Sequence, residues 1–165
     1  MSSKTIKATN ATKYGKYIMT EPHAPFDLVP IPGVSAEEME QRRKAELPNI
    51  RVNSNLNKEV SLDFAFVPVA KPDEPGYKGH PSHKHDVEEY IWFHGGDPQN
   101  VLDFGAEIEI TLGEGKDAEK HLINKSSVIF IPKGLAHLPI TFKKVDKPVF
   151  WGHILVTNSY QETRL

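Results

Sequence analysis

From residue 50 onward, apolar residues recur at every second position in short runs, each closed by Gly, Pro, Asn or a Lys-Gly turn. This period restricts the chain more than any other feature, because alternation sends successive side chains to opposite faces of a strand. "EVSLDFAFVPV" sets Val60, Leu62, Phe64 and Phe66 against Ser61, Asp63 and Ala65, and "AEIEITLG" sets Ile108, Ile110 and Leu112 against Glu107, Glu109 and Thr111. "SVIFIP", "AHLPITF" and "PVFWGHILVT" follow, each bounded by turn residues. Short strands at regular spacing, with no second helix, predict an antiparallel sandwich or barrel. A chain of 165 residues has room for one such domain and is short for two.

Residues 1–49 read differently. Pro22, Pro25, Pro30 and Pro32 stand so close together that neither a helix nor a central strand can pass through them, which predicts an irregular arm. "SAEEMEQRRKAELP" then predicts a single short helix: Ser35 is the N-cap, Glu38 completes a capping box, acids precede bases, and Pro48 ends it. Its apolar stripe is thin, chiefly Met39 and Leu47, so it is expected on the outside of the domain. The expected division is 1–49 for the arm and surface helix and 50–165 for a single β domain.

Charge and composition remove several function classes. The formal net charge is −2 and there is no block of Lys and Arg, so neither nucleic acid nor an anionic membrane is expected as a partner. No apolar run approaches a membrane span, and "MSSKTIKATNATKYGKYIMT" lacks the apolar centre of a signal peptide; the expected location is the cytoplasm. Cysteine is absent, so any metal must be held by nitrogen and oxygen.

"HPSHKHDVEEYIWFHGG" (80–96) holds four of the eight histidines, with two glutamates, just where an apolar run begins. His83, His85 and Glu89 share a parity, so a strand with a slight kink after His85 would aim all three inward, with Ile91 and Phe93 continuing the wall. Two imidazoles and a carboxylate suit Fe(II), Mn(II), Ni(II), Cu(II) or Zn(II). Glu88 is the alternative carboxylate but faces away in a regular strand, and a solvated turn is the plainer reading of such a cluster. "VIFIPKGLAHLPITF" adds weight to the metal: His137 opens an apolar strand, where a buried ring needs polar partners.

Together the two segments resemble the cupin superfamily, whose first motif is written G(X)5HXH(X)3,4E(X)6G and whose second is G(X)5PXG(X)2H(X)3N. His83, His85, Glu89 and Gly96 match the first in identity and spacing, and Pro132, Gly134 and His137 match the second. Tyr77, Ser126 and Thr141 stand where the motifs have Gly, Gly and Asn. The resemblance covers roughly residues 58–157. It implies a cupin-type jelly-roll β-barrel, commonly a homodimer, with His83, His85, Glu89 and His137 holding one divalent transition metal (Fe, Mn, Ni, Zn or Cu).

Such a metal keeps open positions for O2, water or a chelating small-molecule substrate. The expected function is a metal-dependent enzyme acting on a small oxygenated molecule, dioxygenase-like with Fe(II) or Mn(II). The alternatives are a Lewis-acid lyase, isomerase or decarboxylase, and a non-catalytic metal- or small-molecule-binding cupin. His153, in "VFWGHILV", lies on a late strand able to line the barrel and is the expected acid/base or ligand-supporting residue; a core histidine bonded to backbone is the plain alternative.

Overall fold

The computed structural model describes residues 14, 35–37, 50–54, 57–73, 80–158 and 161–165. The arm, most of the expected helix over 35–47 and Tyr77 lie outside the described residues. Ten strands follow in order: β1 (Ile50–Val52), β2 (Asp63–Val69), β3 (His83–Lys84), β4 (Glu89–Gly95), β5 (Ala106–Leu112), β6 (Glu119–Ile123), β7 (Ser127–Ile131), β8 (His137–Val145), β9 (Val149–Leu155) and β10 (Thr163–Arg164). They form two five-stranded antiparallel sheets, β1-β2-β9-β4-β7 and β10-β3-β8-β5-β6. Among the described residues the pairing gives two separate sheets, not the single closed barrel the motifs imply. No described helix is long and apolar enough to cross a membrane.

The alternating runs do what their period dictates. Along β4, Glu89, Ile91, Phe93 and Gly95 are buried while Tyr90, Trp92 and His94 turn outward; along β5, Ala106, Ile108 and Ile110 are buried. Phe93, Ile108, Ile110, Ile131, Phe142 and Val149 build the core on which both sheets close. On β2 the large apolar residues take the outer face instead: Asp63, Ala65 and Val67 are buried, and Phe64 and Phe66 are only half-buried. Phe66 packs outside against Trp92 (ring centroids 5.3 Å apart) and Phe150 (4.8 Å), so aromatic size on this strand marks the outer surface. The inner face of β2 is given to a buried carboxylate.

Gly152 of β9 lies in register between Phe66 and Trp92, and a β-carbon there would collide with the Trp92 ring and the Ala65 carbonyl oxygen. Gly152→Ala is therefore expected to cost roughly 1–3 kcal/mol, the usual range for overpacking. Urea unfolding at neutral pH measures it, and an unchanged midpoint would show that both β2 and the Trp92 ring shift freely.

Candidate metal centre

The two sheets divide the site between them. β3 and β8 carry His83 and His137 as directly opposed partners, and His85 follows β3 immediately. Glu89 begins β4, which belongs to the other sheet. The chain crosses from one sheet to the other between His85 and Glu89, so the continuous, slightly kinked strand read from parity is corrected to a crossover. All four side chains still end in one buried place: His83 and His85 are each 5% exposed, Glu89 3% and His137 1%. The three imidazoles offer ligand atoms that all lie within 4.8 Å of one another.

Local hydrogen bonds aim these rings. His83 Nδ1 faces the Pro81 carbonyl at 2.9 Å, His85 Nδ1 the Gln161 carbonyl at 2.6 Å and His137 Nδ1 the Leu135 carbonyl at 3.0 Å. A ring nitrogen facing a carbonyl must carry the proton and donate, which leaves Nε2 of each neutral ring as a lone pair. This is the arrangement by which metal-binding histidines are oriented. The Pro132-Lys133-Gly134 turn joins the two motif segments, because Gly134 N–H donates to the His85 carbonyl at 2.9 Å. Gly134 sits at φ +80°, the left-handed conformation that explains glycine here. Ser126, at the motif's missing glycine, accepts the Gly95 N–H at 3.2 Å and donates to the Val101 carbonyl.

Glu89 Oε2 lies 2.8 Å from His137 Nε2 and 3.6 Å from His85 Nε2. Both Glu89 Oε2 and His137 Nε2 are buried without a hydrogen-bond partner. With its proton on Nδ1, His137 turns a lone pair toward a carboxylate oxygen, and two acceptors in contact in a dry interior repel each other unless a cation lies among them. The donor set therefore fits one divalent transition metal, held by nitrogen and oxygen as the lack of cysteine requires.

Behind Glu89 runs a second layer of charge. Glu89 Oε1 is 3.0 Å from His153 Nδ1, and His153 Nε2 is 3.3 Å from Asp63 Oδ1. Asp63 is gripped by the Arg51 guanidinium, Nε to Oδ1 and Nη2 to Oδ2 both at 3.0 Å, and by Asn53 Nδ2 at 3.2 Å. Sequence reading placed His153 near the site but missed Asp63, Arg51, Asn53 and the Gln161 carbonyl. The one available signal was an acid, Asp63, on the parity that also carries Ala65 and Val67.

The electrostatics follow from burial and partners. Burial pushes the Asp63 carboxyl up, but His153 and Arg51 outweigh it and bring it down to about 2. For Glu89, too, burial pushes the carboxyl up, and the hydrogen bond and charge of His153 hold it below the usual carboxylate range. Burial lowers His83 to about 4; burial also lowers His85, against the Gln161 carbonyl and Glu89. Burial would lower His153 as well, but Asp63 and Glu89 together raise it.

These shifts set an acid limit for the metal-free protein. Between the ordinary imidazole value of 6.5 and about 4, the unfolded chain protonates His83 while the folded one does not. The contribution of His83 is then complete above pH 6.5 and falls toward pH 4 by about 3 kcal/mol, with Asp63 extending the loss below 3.8, while the raised His153 acts in the opposite sense. Urea unfolding of chelator-treated protein from pH 7.5 to 4, wild type beside His83→Ala, tests it; the same pH profile in both contradicts the buried, neutral His83.

No protein-family model and no curated protein matches the chain. Solved structures do. Lactobacillus farciminis oxalate decarboxylase in complex with formate is 18% identical with a TM-score of 0.50, over 74% of this chain and 32% of that one. Bacillus subtilis oxalate decarboxylase at pH 4.6 is 17% identical with a TM-score of 0.49, over 73% of this chain and 28% of that one. An oxalate oxidase bound to the substrate analogue glycolate is 13% identical with a TM-score of 0.45, over 71% of this chain and 54% of that one. The chain thus spans about a third of the Lactobacillus enzyme, and at these identities the likeness is one of fold. The chain therefore has the cupin fold, with both motif segments meeting at one buried three-histidine cluster.

Proposed function

We propose that this cupin is a metal-dependent enzyme acting on a small, anionic, oxygen-rich molecule, with His83, His85, Glu89 and His137 as the metal ligands. The observation that carries the proposal is the convergence of the Glu89 carboxylate on the three-histidine cluster, with Glu89 Oε2 2.8 Å from His137 Nε2 and both atoms buried without a hydrogen-bond partner, as two ligands of one metal would be. When bound, the metal supplies open coordination positions and acts as Lewis acid or redox centre. The rest is the chain's contribution. Three neutral imidazoles add no charge, and the one ligand carboxylate is shared with His153, so a dication there is short of negative charge. An enolate, catecholate or carboxylate oxygen on the substrate makes up the difference.

Within that class a dioxygenase-like reaction with Fe(II) or Mn(II) is the favoured reading. His153 has both ring nitrogens against carboxylates, Glu89 and Asp63, which suits it to holding a ligand and not to carrying protons to and from substrate. A lyase or isomerase that relied on His153 for its proton step would need one of those nitrogens released. The second reading is a decarboxylase of a small carboxylate, drawn from the fold shared with Lactobacillus farciminis oxalate decarboxylase. Oxygen uptake by iron- or manganese-loaded protein across small diketones and catechols decides the matter, with CO2 release from oxalate measured in parallel. Uptake that depends on substrate supports the first reading, CO2 release without net uptake moves the assignment to the second, and neither activity on any of these compounds removes both.

A further inference from the structure

The layer behind Glu89 has a specific geometry. In the register of the sheet, His153 of β9 stands between Ala65 of β2 and Ile91 of β4, while Asp63 and Glu89 both stand opposite Leu155. Asp63 and Glu89 are therefore the two diagonal neighbours of His153 on the same inner face, one on either side, within reach of a ring between them. The ring spans them, Nδ1 to Glu89 Oε1 and Nε2 to Asp63 Oδ1. Asp63 is itself fixed from β1 by the two-pronged Arg51 contact. A forked guanidinium–carboxylate pair is the most directional ion pair available to a protein, so the far end of this chain of contacts is rigid.

The near end decides how Glu89 meets the metal. With Oε1 occupied by His153, Oε2 is the oxygen turned toward His85 and His137. We infer that Asp63 is a positioning residue for the metal centre: through His153 it holds Glu89 so that a single carboxylate oxygen is offered to the metal. This rests on the ligand assignment made above. Without Asp63 the His153 ring loses its anchor on Nε2 and can turn about its own axis. Oε1 is then released, and Glu89 can swing away or present both oxygens. A role for Asp63 confined to pairing with Arg51 predicts instead a less stable protein whose metal site is unaltered.

The test uses the full chain and Mn(II) alone as probe, with affinity read by competition against a chelator and the ligand field by the Mn(II) EPR spectrum. Asp63→Asn is expected to bind Mn(II) about 10–100-fold more weakly, the usual cost of losing a partner that orients a ligand, and to change the spectrum. His153→Phe, which keeps the ring shape, is expected to lose at least as much, and the double variant no more than His153→Phe alone, because one contact acts through the other. Wild-type affinity and spectrum in Asp63→Asn overturn the inference, and so do losses that simply multiply in the double variant. If Asp63→Asn does not fold, Asp63→Glu keeps the charge beside Arg51 while displacing the carboxylate; it is expected to alter the spectrum, and an unaltered one counts against the role. His137→Ala, measured alongside, separates the two levels. If it keeps wild-type affinity the ligand assignment itself fails; if it loses Mn(II) while Asp63→Asn does not, only the role of Asp63 fails.

Discussion

His137→Ala is expected to purify without metal while the wild type carries close to one ion per chain, and to take up added Mn(II) or Fe(II) more than roughly 100-fold less tightly, beyond the cost of losing an outer-shell partner. His137 is 1% exposed, stands directly opposite His83 across β8 and β3, and turns Nε2 toward Glu89 Oε2. Removing it takes one nitrogen from the cluster and leaves His83 and His85, with only Lys84 between them, to act with Glu89 alone. The stability readout distinguishes a ligand from a core residue. In the metal-free protein the His137 lone pair and the Glu89 oxygen repel each other, so the substitution relieves a strained contact as well as opening a cavity. In metal-loaded protein the wild type gains the binding free energy of the ion and the variant does not. The melting temperature should therefore separate the two proteins widely with metal and only modestly after chelation. Equal separation in both states, with metal retained by the variant, would falsify the ligand role.

How much of this was legible in the sequence can be judged residue by residue. The runs that became β5, β7, β8 and β9 were plain, since each is rich in apolar residues, alternating in β5, and is bounded by turn residues. β1, β6 and β10 were not, because "IRV", "EKHLI" and "TR" are short and largely polar, and their pairing is decided by what lies beside them. The spacing of His83, His85, Glu89 and His137 was a strong signal, and the structure brings the four together. Parity alone nonetheless misplaced the path, since it reads His85 and Glu89 as one strand where the chain changes sheets. β2 failed for a different reason. Phe64 and Phe66 have the larger apolar surface, so hydrophobicity assigns them inward, yet the inner face carries Asp63 because Arg51, Asn53 and His153 satisfy its charge there. That compensation is made between strands far apart in sequence and leaves no periodic trace. His153 could be placed on a late inner strand, but its partners could not.

The least legible part of the site is its C-terminal wall, and it supports the other large effect. Replacing residues 161–165 by a Gly-Ser stretch of equal length is expected to weaken Mn(II) binding by about 100-fold, at the top of the range for lost orienting contacts, although no ligand is touched. β3 has only two residues, His83 and Lys84, and β8 holds it through the single His83–His137 pair. On its other side β10 pairs Thr163 with Lys84 and Arg164 with His83, and Leu165 N–H donates to the Ser82 carbonyl at 3.2 Å. Just before β10, the Gln161 carbonyl accepts from His85 Nδ1 at 2.6 Å, and the buried Glu162 carboxylate lies 3.9 Å from His83 Nδ1. A Gly-Ser segment that no longer docks as the edge strand frees a two-residue segment that carries one ligand and immediately precedes another, and it leaves the carbonyl at position 161 no longer held against His85 Nδ1, where it fixes the tautomer. Ordering both rings again then falls to the metal, at a cost in side-chain and backbone entropy that appears directly as lost affinity. Circular dichroism should show the two sheets intact, since the core residues Phe93, Ile108, Ile110 and Phe142 lie elsewhere. Unchanged affinity in a protein whose sheets are intact would mean that β8 and the Pro132-Lys133-Gly134 turn suffice to hold His83 and His85. A Gln161→Ala control, which alters the side chain and keeps the carbonyl, is expected to bind as the wild type does.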